Sequence, residues 1–294
     1  MVCGGKIQNR NLRGGAGRVG VGLAVALILM SLRGGVQAQD CGALTPYKSN
    51  YAMLAYDTLN SPPRHARELI FHLSFEIETC FLPHVYLAYS QTSFWQIFDT
   101  SRSSPFRETN YNPEIFYRRE WGQWPWMNGR VAAQIGYEHE SNGQGPALSE
   151  SGQPVNLSRS WDRTYLWLWW HSETEHPVVA AFKLWYRKPE QVKVDPLQVQ
   201  GDDNPTIQDR LGKGELYLGA PLSRRAGLLA MLRKGRKDKT GTLSLDYVVE
   251  TQVPGVFLFL RFFQGYGESL IDYDRRVERY GLGLSFSDPM AQFR

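Results

Sequence analysis

A chain of 294 residues with 42% hydrophobic and 13% aromatic side chains is long enough for one large domain and too apolar for disorder. The formal charge of +4 and the isoelectric point near 8.9 look basic. However, Lys6, Arg10, Arg13, Arg18 and Arg33 all precede residue 38, so the remainder is close to neutral and nothing in it points to a nucleic-acid partner.

Residues 1–38 read as a secretory signal peptide. Basic residues precede an apolar run from Val19 to Leu32, and Val36-Gln37-Ala38 is a small-x-small cleavage site. The run is shorter than the roughly 20 residues that a membrane helix needs. Residues 39–294 then form the mature domain, exported to a compartment where Cys41 and Cys80 either pair or stay free. Two cysteines are too few for a structural zinc site.

Beyond the signal, helical periodicity is scarce and alternation is common. Alternating runs recur at 47–57, 67–79, 85–98, 109–118, 130–139, 160–170, 177–187, 212–220, 225–233, 240–250, 255–264 and 277–287. These predict an all-β chain of about twelve strands, many with aromatics near their ends, as at Trp167, Trp169, Trp170 and Trp185. Strands of about ten residues with aromatic ends, after a signal peptide, are the signature of a transmembrane antiparallel β-barrel in the outer membrane. A soluble sandwich would use shorter strands and turn its apolar row inward.

The connections alternate in length. Tight turns such as Leu82-Pro83-His84 and Gln252-Val253-Pro254 alternate with longer polar loops at 99–108, 140–157, 189–211 and 265–277, which are expected on the extracellular side. The segment 122–128 is a longer, Trp-rich turn in this reading.

Parity assigns the side chains to faces. Val131, Ala133, Ile135 and Tyr137 form an apolar row, and His139 and Ser141 continue it. In the next run Leu166, Leu168 and Trp170 form such a row, which includes Asp162 when followed back toward the loop. Adjacent pairing of the two strands places His139, Ser141 and Asp162 together on the lipid-facing wall. Serine, histidine and carboxylate are the parts of a hydrolytic triad. A site facing lipid meets lipid as its substrate, so acyl-ester hydrolysis follows from place and chemistry together. The alternative is a structural barrel or pore in which these residues are an incidental polar rim.

Tyr137-Glu138-His139-Glu140-Ser141-Asn142-Gly143, followed by Ser158-Arg159-Ser160-Trp161-Asp162-Arg163, resembles the signature of the outer membrane phospholipase A family. Ser103-Ser104-Pro105-Phe106-Arg107-Glu108-Thr109-Asn110-Tyr111, Asp202-Asp203-Asn204-Pro205 and Gly265-Tyr266-Gly267-Glu268-Ser269-Leu270-Ile271-Asp272-Tyr273 look like other blocks of the same family. The resemblance implies a calcium-dependent phospholipase A1/A2 and lysophospholipase, active as a homodimer in the outer membrane on phospholipids and lysophospholipids. By the same resemblance Ser141 is the nucleophile, His139 the general base and Asp162 the residue that orients His139, where the family usually has asparagine.

For calcium, the resemblance implies Ser158, the backbone carbonyl of Gln144, and Ser103 from the partner protomer. It also implies a dimer-interface role for Gln91, an amide on the row of Val85, Leu87, Tyr89, Ser93 and Trp95. The segment 144–157 is longer than the family's connection and is expected to lie over the site as a flap, with Glu150 as a further carboxylate within it.

Overall fold

The computed structural model describes residues 41–293 apart from 60–65, 125–126, 149–151, 196–197 and 199. The expected signal peptide and Glu150 lie outside the described residues. The chain forms strands β1 (Leu44–Pro46), β2 (Tyr51–Asp57), β3 (Arg67–Glu78), β4 (Val85–Trp95), β5 (Phe106–Trp124), β6 (Met127–Ser141), β7 (Pro146–Leu148) and β8 (Pro154–Asn156). Then follow β9 (Ser160–Ser172), β10 (Val179–Arg187), the short helix α1 (Ile207–Leu211), β11 (Gly214–Ser223), β12 (Ala226–Lys234), β13 (Gly241–Glu250), β14 (Phe257–Gly265) and β15 (Val277–Ser285).

Twelve of these strands close a barrel. Each pairs antiparallel with its neighbours, and β2 pairs with both β3 and β15, so the sheet has no free edge. Strand β1 runs along β3 in line with β2, and β7 pairs with β8 as a separate hairpin. The twelve barrel strands match the twelve alternating runs, with three differences.

The first predicted strand begins at Tyr51 rather than at 47. Residues 47–50 leave the ladder: the Asn50 side chain accepts the Ser74 backbone N–H at 2.7 Å and donates to the Ser74 carbonyl at 3.0 Å, replacing strand pairing. Strands β5 and β6 run past the expected turn at 122–128, to Trp124 and from Met127. Alternation of apolar residues fades at Arg118-Arg119-Glu120, yet Arg118 points inward and grips Glu76 with two hydrogen bonds of 2.7 Å. Within the expected loop 189–211 sits α1, which buries Ile207 and Leu211.

Odd and even positions divide cleanly. On β6, Ile135 is 53% exposed on the outer wall whereas Gln134 is fully buried in the lumen. The outer wall carries Leu166, Leu168, Leu216, Leu218, Leu282 and other exposed apolar side chains, as a lipid-facing surface requires.

The lumen is filled by paired charges. Arg261 donates twice to Asp246 at 2.6 Å, Lys183 to Glu138 at 2.9 Å and Arg279 to Glu68 at 2.8 Å. Pairing offsets the desolvation of these buried ions. The C-terminal segment reaches into one end, where Phe293 is fully buried with its ring 5.6 Å from Trp167 and 5.7 Å from Tyr217. Gly219 and Gly227 make room there, because a Cβ on either would meet Met290. At the other end Leu270, Tyr273, Ile207 and Leu211 are buried. Two cavities lined by lumen residues measure about 250 and 180 Å³. An open pore would leave these side chains wet.

Cys41 and Cys80 form a disulfide with a Cα–Cα distance of 5.0 Å, tying the segment before β1 to the residues just past β3.

Candidate active site

Strands β6 and β9 are neighbours throughout their length, and their register sets His139 directly opposite Asp162 and Ser141 opposite Ser160. His139 Nδ1 lies 2.8 Å from Asp162 Oδ1. This contact leaves Nε2 as the ring nitrogen for a second partner. Ser141, two residues on along β6, shares the outward row with His139, about 7 Å further along the strand. His139 is 42% exposed and Asp162 22%. Lys188 Nζ stands 3.9 Å from the other Asp162 oxygen, and the Tyr137 hydroxyl interacts with the same carboxylate.

The even residues of the same stretch hold it in place. Glu138 is buried against Lys183 and Arg163; Glu140 accepts from Trp161 Nε1 at 2.9 Å and Arg163 at 2.7 Å. Asn112 on β5 donates to the His139 carbonyl at 3.0 Å, fixing the backbone between the two chemical side chains.

After Ser141 the chain turns at Gly143, whose φ of +62° favours glycine. A Cβ there would lie 2.9 Å from the Tyr111 ring, which stands beside Ser141 on β5. Asn142, buried, staples this turn to the far side of the loop. Its Oδ1 accepts the backbone N–H of Arg159 at 3.0 Å and of Gln144 at 3.3 Å, and its Nδ2 donates to the Leu157 carbonyl at 2.8 Å. The Gln144 peptide and the Ser158–Arg159 peptide are thereby held on one acceptor.

Ser158 donates its hydroxyl to Asp203 Oδ2 at 2.7 Å, and Asp203 Oδ1 accepts from Asn156 at 2.7 Å and pairs with Lys193. Burial alone would raise the Asp203 carboxyl, but the Asn156, Lys193 and Ser158 donors outweigh it and hold the group below the usual range. Residues 202–205 are conspicuous as a sequence block, yet the bond from Asp203 to Ser158 spans 45 positions and has no local signal.

Ser103 lies apart, exposed at a positive φ of 58° on the 96–105 loop, at the same end of the barrel. Among the described residues no group of three His, Cys, Asp or Glu side chains forms a metal site of its own. The donors gathered here are hydroxyl, carbonyl and carboxylate oxygens, the type that a hard cation such as calcium takes. Because Ser158 donates its proton to Asp203, its lone pairs face away from that bond and suit a cation.

Gln91 sits on the outer wall between Leu73 of β3 and Tyr111 of β5. It accepts from Tyr89 at 2.8 Å and donates to Ser93 at 3.0 Å. The segment 144–157 carries the β7–β8 hairpin, in which Pro146 pairs with Asn156.

The sequence profile of the family described as Phospholipase A1 matches residues 36–286. The chain belongs to the phospholipase A1 family. Among its relatives, the phospholipase A1 of Escherichia coli K12 is 31% identical over 269 residues, 83% of this chain and 82% of that protein. A putative phospholipase A1 of Neisseria meningitidis is 34% identical over 212 residues, 69% of this chain; the match spans about half, 49%, of that longer relative. Among solved structures, the Salmonella typhi outer membrane phospholipase, a dimer with bound calcium, superposes with a TM-score of 0.69 at 26% identity, covering 86% of this chain and 95% of that one. The outer membrane phospholipase A of E. coli gives 0.69 at 27% identity, over 84% and 95%. The chain shares the fold of these outer-membrane proteins over most of its length.

Proposed function

We propose that this chain hydrolyses acyl esters of membrane phospholipids in the outer membrane, with Ser141 as nucleophile, His139 as general base and Asp162 holding the imidazole. The observation that carries this reading is the 2.8 Å contact between His139 Nδ1 and Asp162 on the lipid-facing row that also bears Ser141.

Asp162 accepts the Nδ1 proton, which fixes the tautomer with Nε2 free to take the Ser141 proton. The Ser141 oxygen attacks the acyl carbonyl, and the imidazolium that forms is stabilised by the Asp162 carboxylate. His139 then returns the proton to the departing alcohol, and water releases the acyl group by the same route in reverse. Calcium, the metal bound in the Salmonella typhi relative, would when bound here supply positive charge against the developing oxyanion. Ser158, the Gln144 carbonyl and Ser103 of a second copy would hold it, and Asp203 orients Ser158. The need for a second copy ties activity to a homodimer, and Gln91 serves the contact because, beyond its bonds to Tyr89 and Ser93, its amide has a second N–H and a second lone pair to offer a partner in hydrocarbon.

The test uses purified protein in detergent with a phospholipid substrate, with calcium and with chelator, beside Ser141→Ala. The reading expects calcium-dependent hydrolysis that Ser141→Ala loses. Hydrolysis that persists in Ser141→Ala would overturn the assignment of the nucleophile.

A further inference from the structure

The wall away from β6 and β9 carries a trough that the catalytic reading does not use. Its upper lip is one cross-strand row, Arg67, Tyr56, Tyr280, Phe262 and Leu245, running from β3 through β2, β15 and β14 to β13. The lower lip is the next row, Leu54, Leu282, Leu260, Tyr247 and Leu228, from β2 to β12. Between the lips the floor is backbone at Ala55, Gly281 and Arg261, where the intervening residues are small or turn their side chains inward. The open space between the lips is about 660 Å³.

We propose that this trough binds one acyl chain of a phosphate-bearing membrane lipid, with the lipid's phosphate held at Arg67. Three observations carry it. First, the lining is apolar and lies on the outer wall, where hydrocarbon is the solvent: Leu54, Tyr56, Tyr280 and Leu282 are each at least half exposed.

Second, the trough descends. Arg67 is the first residue of β3, at the loop end of the barrel, whereas Leu228 lies near the opposite, short-turn end of β12 (Ala226–Lys234). Four strand spacings separate β2 from β12, about 19 Å, the reach of an extended acyl chain. A lipid whose head rests at the loop rim would therefore lay its tail along the trough into the bilayer.

Third, the charge is at the correct end. Arg67 is exposed there, with its guanidinium 6.0 Å from the Phe98 ring on the neighbouring loop. Glu278, two residues before Tyr280 on β15, already accepts from Thr58 at 2.9 Å and Gln264 at 2.8 Å. An anionic headgroup therefore meets a cation there and a carboxylate already hydrogen-bonded. The inference rests on the wall and not on the triad.

The probe is an ether-linked phosphatidylglycerol, which an esterase cannot consume, carrying a photoactivatable diazirine in one chain. It is added in trace to phosphatidylcholine nanodiscs that each hold one copy of the full chain. Irradiation and peptide mapping should concentrate label on β13, β14 and β15 over the outward leucines of β11. Arg67→Gln should lower the trough label about fivefold, the effect of one basic side chain on an anionic lipid, without changing label on β11. Leu282→Trp, which fills the trough, should lower it for any headgroup. Uniform label over all outward leucines, or trough label insensitive to both variants, would overturn the proposal. Label that disappears when two copies share a disc would assign the trough to a second copy instead. Both variants should keep calcium-dependent hydrolysis, so failure of the triad reading would be seen separately.

Discussion

His139 and Asp162 are direct cross-strand partners joined side chain to side chain at 2.8 Å, so the register of β6 on β9 and the geometry of the proposed triad are one and the same property. Asp162→Asn keeps an oxygen that accepts the Nδ1 proton and should retain activity within about tenfold. Asp162→Ala loses the acceptor and should fall about a hundredfold, within the range of general base catalysis. Initial rates on a soluble ester, with calcium saturating, make the comparison; equal losses would remove the orienting role.

Asp203 should matter to calcium and little to the chemical step. Its carboxylate receives the Ser158 hydroxyl and pairs with Lys193. Asp203→Asn weakens that anchor and should raise the calcium needed for half-maximal activity about tenfold, the value of about 1.4 kcal/mol lost from a charge-assisted hydrogen bond, with the rate at saturation nearly unchanged. A calcium titration reads both numbers. Ser158→Ala should act in the same direction and more strongly.

The plug makes a prediction about conductance. Phe293 and Met290 are buried inside the lumen, Phe293 against Trp167 and Tyr217. The intact protein in planar bilayers should pass no steady current. Phe293→Ala should cost roughly 3 kcal/mol of barrel stability, as for a large core aromatic, and should produce flickering current as the segment leaves its seat. Steady current from the parent protein would contradict the filled lumen.

Reducing the Cys41–Cys80 bond should destabilise the barrel without touching its chemistry. The bond closes a loop across a sequence separation of 39. Loop-closure entropy for such a length is roughly 4 kcal/mol, an upper figure because the denatured state is never wholly free. The double replacement by serine should unfold at lower urea, and the folded fraction should hydrolyse lipid at the parent's rate.

Much of this protein is written in its alternation. The twelve strands are legible because each must present hydrocarbon on one face and polar groups on the other, and that demand repeats every second residue. The outward placement of His139, Ser141 and Asp162 is legible for the same reason. What parity does not carry is contact between distant segments. Asn50 in place of a ladder pair, Asp203 behind Ser158, and Phe293 beneath Trp167 each join residues whose sequence neighbours give no hint of the partner. The length of β5 was hidden because Arg118 looks like the end of an apolar row until Glu76 is seen across the lumen.

One consequence lies in the single strand β6. Glu138, Glu140 and Asn142 build the interior while His139 and Ser141 face the lipid, so the wall proposed to be catalytic and the structural wall are one backbone thick. A barrel that closed with β6 slipped by a single residue would trade these sets, putting carboxylates into hydrocarbon and the imidazole into the lumen. Hydrolysis therefore doubles as a proofreading signal: a molecule that cleaves lipid has certified its own strand register.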